Sequence, residues 1–566
     1  MFNTSKKPPV EFDEILLDTS NLPAFNTARL EGRREVPIRT INIYAVGAVF
    51  LLMAGFFLFR LFELQVMAGE HFRSVSENNS INDSTIIAER GVVYDRTGEK
   101  VIWNEHDFTE TYDFPMRSYT DRLGMGQLIG YVSYPQKDRQ GFYYRTEYLG
   151  RTGIESAYDD MLRGTNGRKI VEVDARGTVA GEHAIANSQP GQELYLSVDA
   201  ELSEAFYQII ATSSAQAGFR SGAGAIMNVH TGELLAVTSF PSYDPEVMAN
   251  GDNTELIASY NKDSRLPFLN KVVSGVYVPG SVVKPFVAYA ALAEGIINPD
   301  TQIVSTGQIV VPNPYVPSQP SIFRDWRAHG TMGMREAIAF SSNVYFYIIG
   351  GGYRDQSGLG ITKMSQYYRL FGLGSETGIN IATEQKGVVP DPDWKAEVFN
   401  DDWRLGDTYF TSIGQYGFQT SPLQIVRAYA ALANGGKLLT PHVESGVTSE
   451  AIDLNLSASA LQVVHEGMRK TVNFPGGTAR GLERSDVAIA AKSGTAEIGA
   501  GNQFVNSWAA GFWPYEEPEY AFVLLMDQAP RSNSLGATNI MGQVVAWMAE
   551  QRPEYLGIEA DVAPVE

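Results

Sequence analysis

The longest apolar stretch runs from Ile41 to Phe59, nineteen residues with no charge and a single Asn. As a helix rising ~1.5 Å per residue it would reach about 28 Å, enough to cross the hydrocarbon core of a bilayer. Its apolar side chains point all round the helix axis, which suits lipid better than the one-sided stripe of a surface helix. A buried core helix is the plainer alternative. A cleaved signal peptide fits poorly, because the stretch starts late and Arg60-Leu-Phe-Glu63 follows it in place of small residues. Arg29, Arg33, Arg34 and Arg39 precede the stretch, and Arg60 and Arg73 follow it. This excess predicts residues 1–40 on the cytoplasmic side and the bulk of the chain outside. Residues 1–40 are rich in Pro, Asn and charge and read as a disordered tail.

Beyond the 41–60 span the pattern changes twice. Residues 61–190 are polar and turn-rich, with strand-like pieces at Thr85–Ala88, Gly91–Tyr94, Val101–Trp103 and Lys169–Val173. Asp95-Arg-Thr-Gly98 and Gly164-Thr-Asn-Gly167 supply turn chemistry between them. These features predict an irregular, β-rich pedestal ending near Ser188-Gln-Pro-Gly191. Residues 194–553 are more regular. Ala223–Val229 and Leu234–Val237 flank His230-Thr-Gly-Glu233 and predict a hairpin. Helical periodicity follows at Lys284–Glu294, Met334–Ser341, Pro422–Ala433 and Ala458–Met468. Strands are predicted at Lys492–Ile498, Asn506–Trp513 and Tyr520–Met526, and a closing helix at Ala537–Glu550, with 554–566 as a tail. Strands, a helical block, then strands and a helix predict an α+β or α/β domain whose sheet is covered by helices.

Composition narrows the chemistry. The chain has 566 residues, 65 acidic and 44 basic, and a formal net charge of −21, which argues against a nucleic-acid partner. It has no cysteine, which excludes disulfides, thiolate nucleophiles, Cys-ligated zinc and iron–sulfur clusters. Its seven histidines are scattered, none paired at the spacing of a zinc helix. The candidate nucleophile is therefore a hydroxyl, which needs a neighbour to take its proton. Gly-x-Ser-x-Gly is absent, and Ser-x-x-Lys is the alternative. One helical turn puts Ser and Lys on the same face. Burial and a second cation lower a lysine's pKa from ~10.4 and let the amine act as base.

Ser-x-x-Lys occurs twice. Ser259-Tyr-Asn-Lys262 lies in a polar stretch and reads as solvated turn residues. Ser281-Val-Val-Lys284 follows the sharp turn Pro279-Gly280, and Pro285 is tolerable only in the first turn of the helix it enters. The apolar run after it buries that helix and places Ser281 at a helix N-terminus that favours developing negative charge. Two further pieces complete a set. Ser341-Ser342-Asn343 lies sixty residues on, and Lys492-Ser493-Gly494-Thr495 opens a predicted strand. Gly494 allows close backbone approach. Lys492, Ser493 and Thr495 offer charge and hydroxyls to a carboxylate.

In this order the three motifs resemble the penicillin-binding protein and serine β-lactamase superfamily. Further segments resemble class B, membrane-anchored penicillin-binding proteins: Arg90-Gly-Val-Val-Tyr-Asp-Arg-Thr-Gly98, Arg151-Thr-Gly-Ile-Glu155, Leu162-Arg-Gly164, Thr231-Gly-Glu-Leu-Leu-Ala236, Gly406-Asp-Thr408 and Ser412-Ile-Gly-Gln415. Arg324-Asp-Trp326 and His329-Gly330 look like the elongation type, and structural packing of Trp326 is the plain alternative for them. The resemblance covers about residues 41–550. It implies a five-stranded antiparallel sheet covered by helices and acyl transfer at D-Ala-D-Ala stem peptides of peptidoglycan, with no cofactor. Residue by residue, it implies Ser281 as nucleophile, Lys284 as base kept deprotonated by Lys492 and burial, and Ser341 as proton relay. Asn343 would bond Lys284 and the substrate amide. Ser493, Gly494 and Thr495 would bind substrate, and the amides of Ser281 and Thr495 would form the oxyanion hole. The implied partners are stem peptides, β-lactam antibiotics, a RodA/FtsW-type glycosyltransferase with other elongation proteins, and the bacterial inner membrane. Division-type transpeptidase, D,D-carboxypeptidase and β-lactam sensor are the alternatives. Three features depart from the family. The 104–150 region is short, Gln415-Tyr-Gly417 replaces Gln-Gly, and the Cys-containing metal site of some elongation enzymes cannot form.

Overall fold

The computed structural model describes residues 39–558 except 74–80, 107–111, 140–142, 174–178, 314, 315 and 317. The expected tail at 1–38 and the last residues of the expected C-terminal tail therefore lie outside the described residues. The chain divides into two compact units, 1–82 with 172–181 and 83–171 with 182–566. In the first, helix α1 (Thr40–Phe62) continues into one turn of π-helix, Glu63–Met67. Among the described residues it is the one helix long and apolar enough to cross a membrane, and none of its side chains is buried. Arg60 pairs with Glu63 at 2.6 Å where the polar sequence resumes.

The second unit begins with a small sheet of β1 (Val93–Tyr94), β2 (Lys100–Glu105), β3 (Met116–Tyr119) and β4 (Leu194–Tyr195), in the order β4-β1-β2-β3. Short strands leave much irregular backbone here, and buried charges tie it together. Glu155 lies between two arginines, with Arg90 Nε at 2.5 Å and Arg117 Nε at 2.7 Å, all three side chains fully buried. Arg90 also reaches Asp159 at 2.7 Å, and Arg117 Nη2 donates to the Gly91 carbonyl at 2.7 Å. The Arg90–Gly98 and Arg151–Glu155 segments therefore meet in one ion cluster.

The larger part is built on five antiparallel strands: β5 (Ser221–Asn228), β6 (Leu234–Phe240), β7 (Ala490–Ile498), β8 (Phe504–Trp513) and β9 (Tyr520–Pro530), in the order β6-β5-β9-β8-β7. These strands read as nearly continuous apolar runs because both sheet faces are covered. Along β8, Trp508, Ala510 and Phe512 enter one core, while Val505, Ala509 and Trp513 enter the other. The first core receives helices α3 (Lys284–Ala293), α5 (Asn343–Gly351) and α6 (Pro422–Ala433), with α4 (Met334–Ala339) and α7 (Ala458–Asn473) beside them. The second receives α2 (Ala200–Ala217) and α8 (Ala537–Gln551).

The periodicity predicted most of these elements to within a few residues, but it missed α2. Leu202, Phe206 and Ile210 form its narrow buried stripe amid Ser, Ala and Gln. Asp199 caps its N-terminus, and Gly218 ends it in the left-handed conformation. Ser259 and Lys262 lie on an exposed helix, Thr254–Lys262, and not in the expected turn.

Candidate active site

Ser281 is delivered by the turn that the sequence placed before it. Gly280 has φ +58° and starts a 3-10 turn, Gly280–Val283, which leads into α3 with Pro285 in its first turn. Glycine is required there on two counts. Its φ is one that other residues rarely adopt, and an added Cβ would lie 2.9 Å from the Thr495 carbonyl oxygen of β7. Gly414 (φ +74°) is packed as tightly, since its Cβ would lie 2.2 Å from the Gly280 carbonyl oxygen. Gly280 N–H in turn donates to the Gly414 carbonyl at 2.9 Å. Gly494 also makes room for protein backbone. A Cβ there would meet Val282 at 2.9 Å and the Pro279 carbonyl at 3.0 Å. The Ser281 turn is thus wedged between strand β7 and the Ser412–Gln415 segment. Ser281 is half-buried, and its hydroxyl has no hydrogen-bond partner among the described residues.

Ser341 sits in a strained position. Helix α4 ends with Ser341 N–H bonded to the Ile338 carbonyl and Ser342 N–H to the Ala337 carbonyl, both at 3.1 Å. This is the pattern of a Schellman cap, whose left-handed residue is usually glycine. Here it is Ser341, at φ +54°, a conformation that costs on the order of 1–3 kcal/mol. Ser342 then starts α5 as its N-cap, accepting from Tyr345 N–H at 3.3 Å.

Two buried ammonium groups converge on this turn. Lys284 Nζ donates to the Ser341 carbonyl at 2.8 Å, Asn343 Oδ1 at 2.7 Å and Ser341 Oγ at 3.3 Å. Lys492 Nζ donates to the same Ser341 Oγ at 2.8 Å and to the Ser493 carbonyl at 2.8 Å. Both lysines are 0% exposed. Burial pulls Lys284 down to about 7, against the opposing pull of Asp325. Burial, and then the charge of Lys284, holds Lys492 well below the usual lysine range. Two amines bonded to one hydroxyl in a dry site cannot both stay protonated.

Strand periodicity separates the β7 residues. Lys492 and Gly494 are buried, Ser493 is half-buried and Thr495 is exposed. Ser493 Oγ donates to Thr478 Oγ1 at 2.6 Å. Thr478 was missed by sequence reasoning, since nothing marks a threonine after two glycines as part of a site. Asp325 was seen only as part of a subtype signature, yet its carboxylate accepts from Ser342 Oγ at 2.6 Å and from the amides of Asn343 at 2.9 Å and Val344 at 3.0 Å. Burial pushes the Asp325 pKa up, but the Ser342 hydroxyl, those amides and Lys284 outweigh it, so the group is held below the usual carboxylate range. Among the described residues no group of three or more His, Asp or Glu side chains could hold a metal ion. Asp325 and His329 are two donors short of a tetrahedral set, and the chain has no cysteine to complete one.

Residues 222–546 match the family model for the penicillin binding protein transpeptidase domain, and 110–196 match that for the penicillin-binding protein dimerisation domain. The peptidoglycan D,D-transpeptidase MrdA of Acinetobacter baumannii is 31% identical over 416 residues, 69% of this chain and 59% of that relative. MrdA of Escherichia coli K12 is 26% identical over 600 residues, 88% of this chain and 92% of the relative. The fold resembles the PBP2–MreC complex from Helicobacter pylori, with a TM-score of 0.69 and 26% identity over 83% of this chain and 99% of that one. It also resembles Pseudomonas aeruginosa PBP2 in complex with WCK 5153, with a TM-score of 0.68 and 27% identity over 85% and 100%. The chain belongs to the penicillin-binding protein transpeptidases, as a class B member of the elongation (PBP2) type.

Proposed function

We propose that this chain is a membrane-anchored peptidoglycan D,D-transpeptidase of cell elongation, working through an acyl-enzyme on Ser281. The observation that carries this reading is the convergence of Lys284 and Lys492 on the Ser341 hydroxyl, with Asn343 Oδ1 holding Lys284, one helical turn from Ser281. Ser281 Oγ attacks the penultimate D-Ala carbonyl of a stem peptide and gives its proton to neutral Lys284. Ser341 Oγ, bonded to both amines, passes a proton to the leaving D-Ala. The terminal carboxylate is met by the Ser493 and Thr495 hydroxyls. Its charge raises the pKa of nearby Lys492, drawing the shared proton there and leaving Lys284 free as base. Amides of Ser281 and Thr495 face the developing oxyanion, a contribution typically worth ~10²–10³ in rate. Support for this pairing comes from the packing of Gly280 on the Thr495 carbonyl. An amine of a second stem peptide resolves the acyl-enzyme and makes the cross-link. A β-lactam acylates the same serine and leaves slowly.

The catalytic unit lies on the outer face of the inner membrane, with residues 1–40 in the cytoplasm. Its partners are a RodA/FtsW-type glycosyltransferase and an MreC-like elongation protein. Two similar structures, a PBP2–MreC complex and a peptidoglycan synthase complex, support that partnership. Mass spectrometry of the penicillin-treated chain tests the core of the reading. One adduct on Ser281 is expected, and an adduct elsewhere, or none, overturns it.

A further inference from the structure

We infer that Asp325 is a positioning residue of this site: its carboxylate clamps the Ser341–Asn343 turn in its strained form and holds the charge balance beside Lys284. The inference rests on the acyl-enzyme reading above and adds to it a residue that touches neither substrate nor nucleophile.

The case starts from Ser341. A serine in a left-handed helix cap would relax unless its surroundings hold it. The residues immediately after it are held by one group. Asp325 Oδ2 takes the Ser342 hydroxyl at 2.6 Å and Val344 N–H at 3.0 Å, and Oδ1 takes Asn343 N–H at 2.9 Å. These amides are the exposed donors at the start of α5, where a carboxylate is favoured by the helix dipole as well. The grip is rigid from the other side too. Trp326 N–H bonds Asp325 Oδ1 at 2.9 Å, and Ser305 Oγ lies 3.3 Å from Oδ2. His329 completes the enclosure, with Nε2 at 3.6 Å from Oδ1 and both side chains fully buried. His329 Nδ1 accepts from Arg327 Nε at 3.2 Å, so the ring proton sits on Nε2 and faces the carboxylate. At that distance Nε2 has no hydrogen-bond partner among the described residues. The ring is fixed by stacking on Phe340 and by the edge of Trp326. The clamp therefore binds Ser342, Asn343 and Val344, the three residues that follow Ser341, and Ser341 Oγ and Asn343 Oδ1 are the two side-chain oxygens that hold Lys284.

The carboxylate also acts through space. The groups facing Lys284 are Ser341, Asn343, Lys492 and Asp325, and only the last is anionic. Its charge opposes the burial that drives Lys284 toward neutrality. The groups facing Asp325 are Ser305, Ser342, His329, Lys284, Tyr347 and the three amides.

The test is the rate of acylation of the full-length chain by fluorescent penicillin as a function of pH, with thermal midpoints measured alongside. Asp325→Asn keeps the shape but loses acceptor capacity and charge. The expected result is a fall in acylation of roughly 10- to 100-fold, the worth of a hydrogen bond to a charged group. The acid limb is expected to move to lower pH, because Lys284 loses the charge that favours its protonated form. Ser342→Ala removes the bond to Asp325 together with the N-cap bond from Tyr345 N–H and leaves the charge, so a fall of roughly 3- to 10-fold with an unmoved acid limb is expected. A wild-type rate in either variant overturns the inference. So does a slow Asp325→Asn whose acid limb has not moved, since that is the signature of packing alone. If Asp325→Asn fails to fold, the Ser342→Ala rate decides. Failure of the underlying reading shows separately, as no penicillin uptake by the unaltered chain, and takes the inference with it.

Discussion

Ser341 shows how much strain one residue can carry for chemistry. Glycine would suit its φ of +54° better. Ser341→Gly is therefore expected to stabilise the fold by about 1 kcal/mol, seen as a higher thermal midpoint, while penicillin acylation falls at least ~100-fold. Lys284 gives the pH dependence. With its pKa pulled to about 7 by burial, the free base forms as pH rises through neutrality. Acylation is expected to climb with an apparent midpoint near pH 7 and then level off, and stopped-flow acylation between pH 5 and 9 checks it. A midpoint near the ordinary lysine value would show that Lys284 is not the base.

At the scale of elements, the site depends on how closely the Ser281 turn seats between β7 and the Ser412–Gln415 segment. Gly414→Ala puts a methyl 2.2 Å from the Gly280 carbonyl oxygen on a backbone with φ +74°. The turn must move, so acylation should drop more than ~10-fold, with a stability loss of about 1–3 kcal/mol. The pedestal has its own dependence. Breaking the buried Arg90–Glu155–Arg117 cluster by Glu155→Ala leaves two buried cations without their shared partner and is expected to cost about 3–5 kcal/mol. Thermal denaturation measures it, and the transpeptidase residues should still take penicillin below the lowered midpoint.

For the whole molecule, every residue of the candidate site lies in the second compact unit, and α1 lies in the first. Removing Ile41–Phe59 is therefore expected to release the chain from membranes and leave penicillin acylation within a factor of about two, since the unit that carries the site has its own core. Fractionation with a penicillin label checks both halves. Loss of acylation on deletion would show that the span supports the site.

Much of this was legible in the sequence because its signals are local. An uncharged run long enough for a bilayer, short apolar runs bounded by turn residues, and Ser and Lys one turn apart each depend on neighbours in the chain. Pro279-Gly280 and Pro285 marked the nucleophile turn for the same reason, since φ limits belong to the residue. Helix α2 was not legible, because its stripe of Leu202, Phe206 and Ile210 is narrow and its Ser, Ala and Gln carry no preference strong enough to mark it. By itself the sequence determined which side chains could do the chemistry and in what order they come. Only the tertiary structure decided their state. The pull of both lysines toward neutrality, the space Gly494 opens and the hold on Ser341 in its strained cap all depend on burial and on groups from distant segments, and no local pattern encodes those.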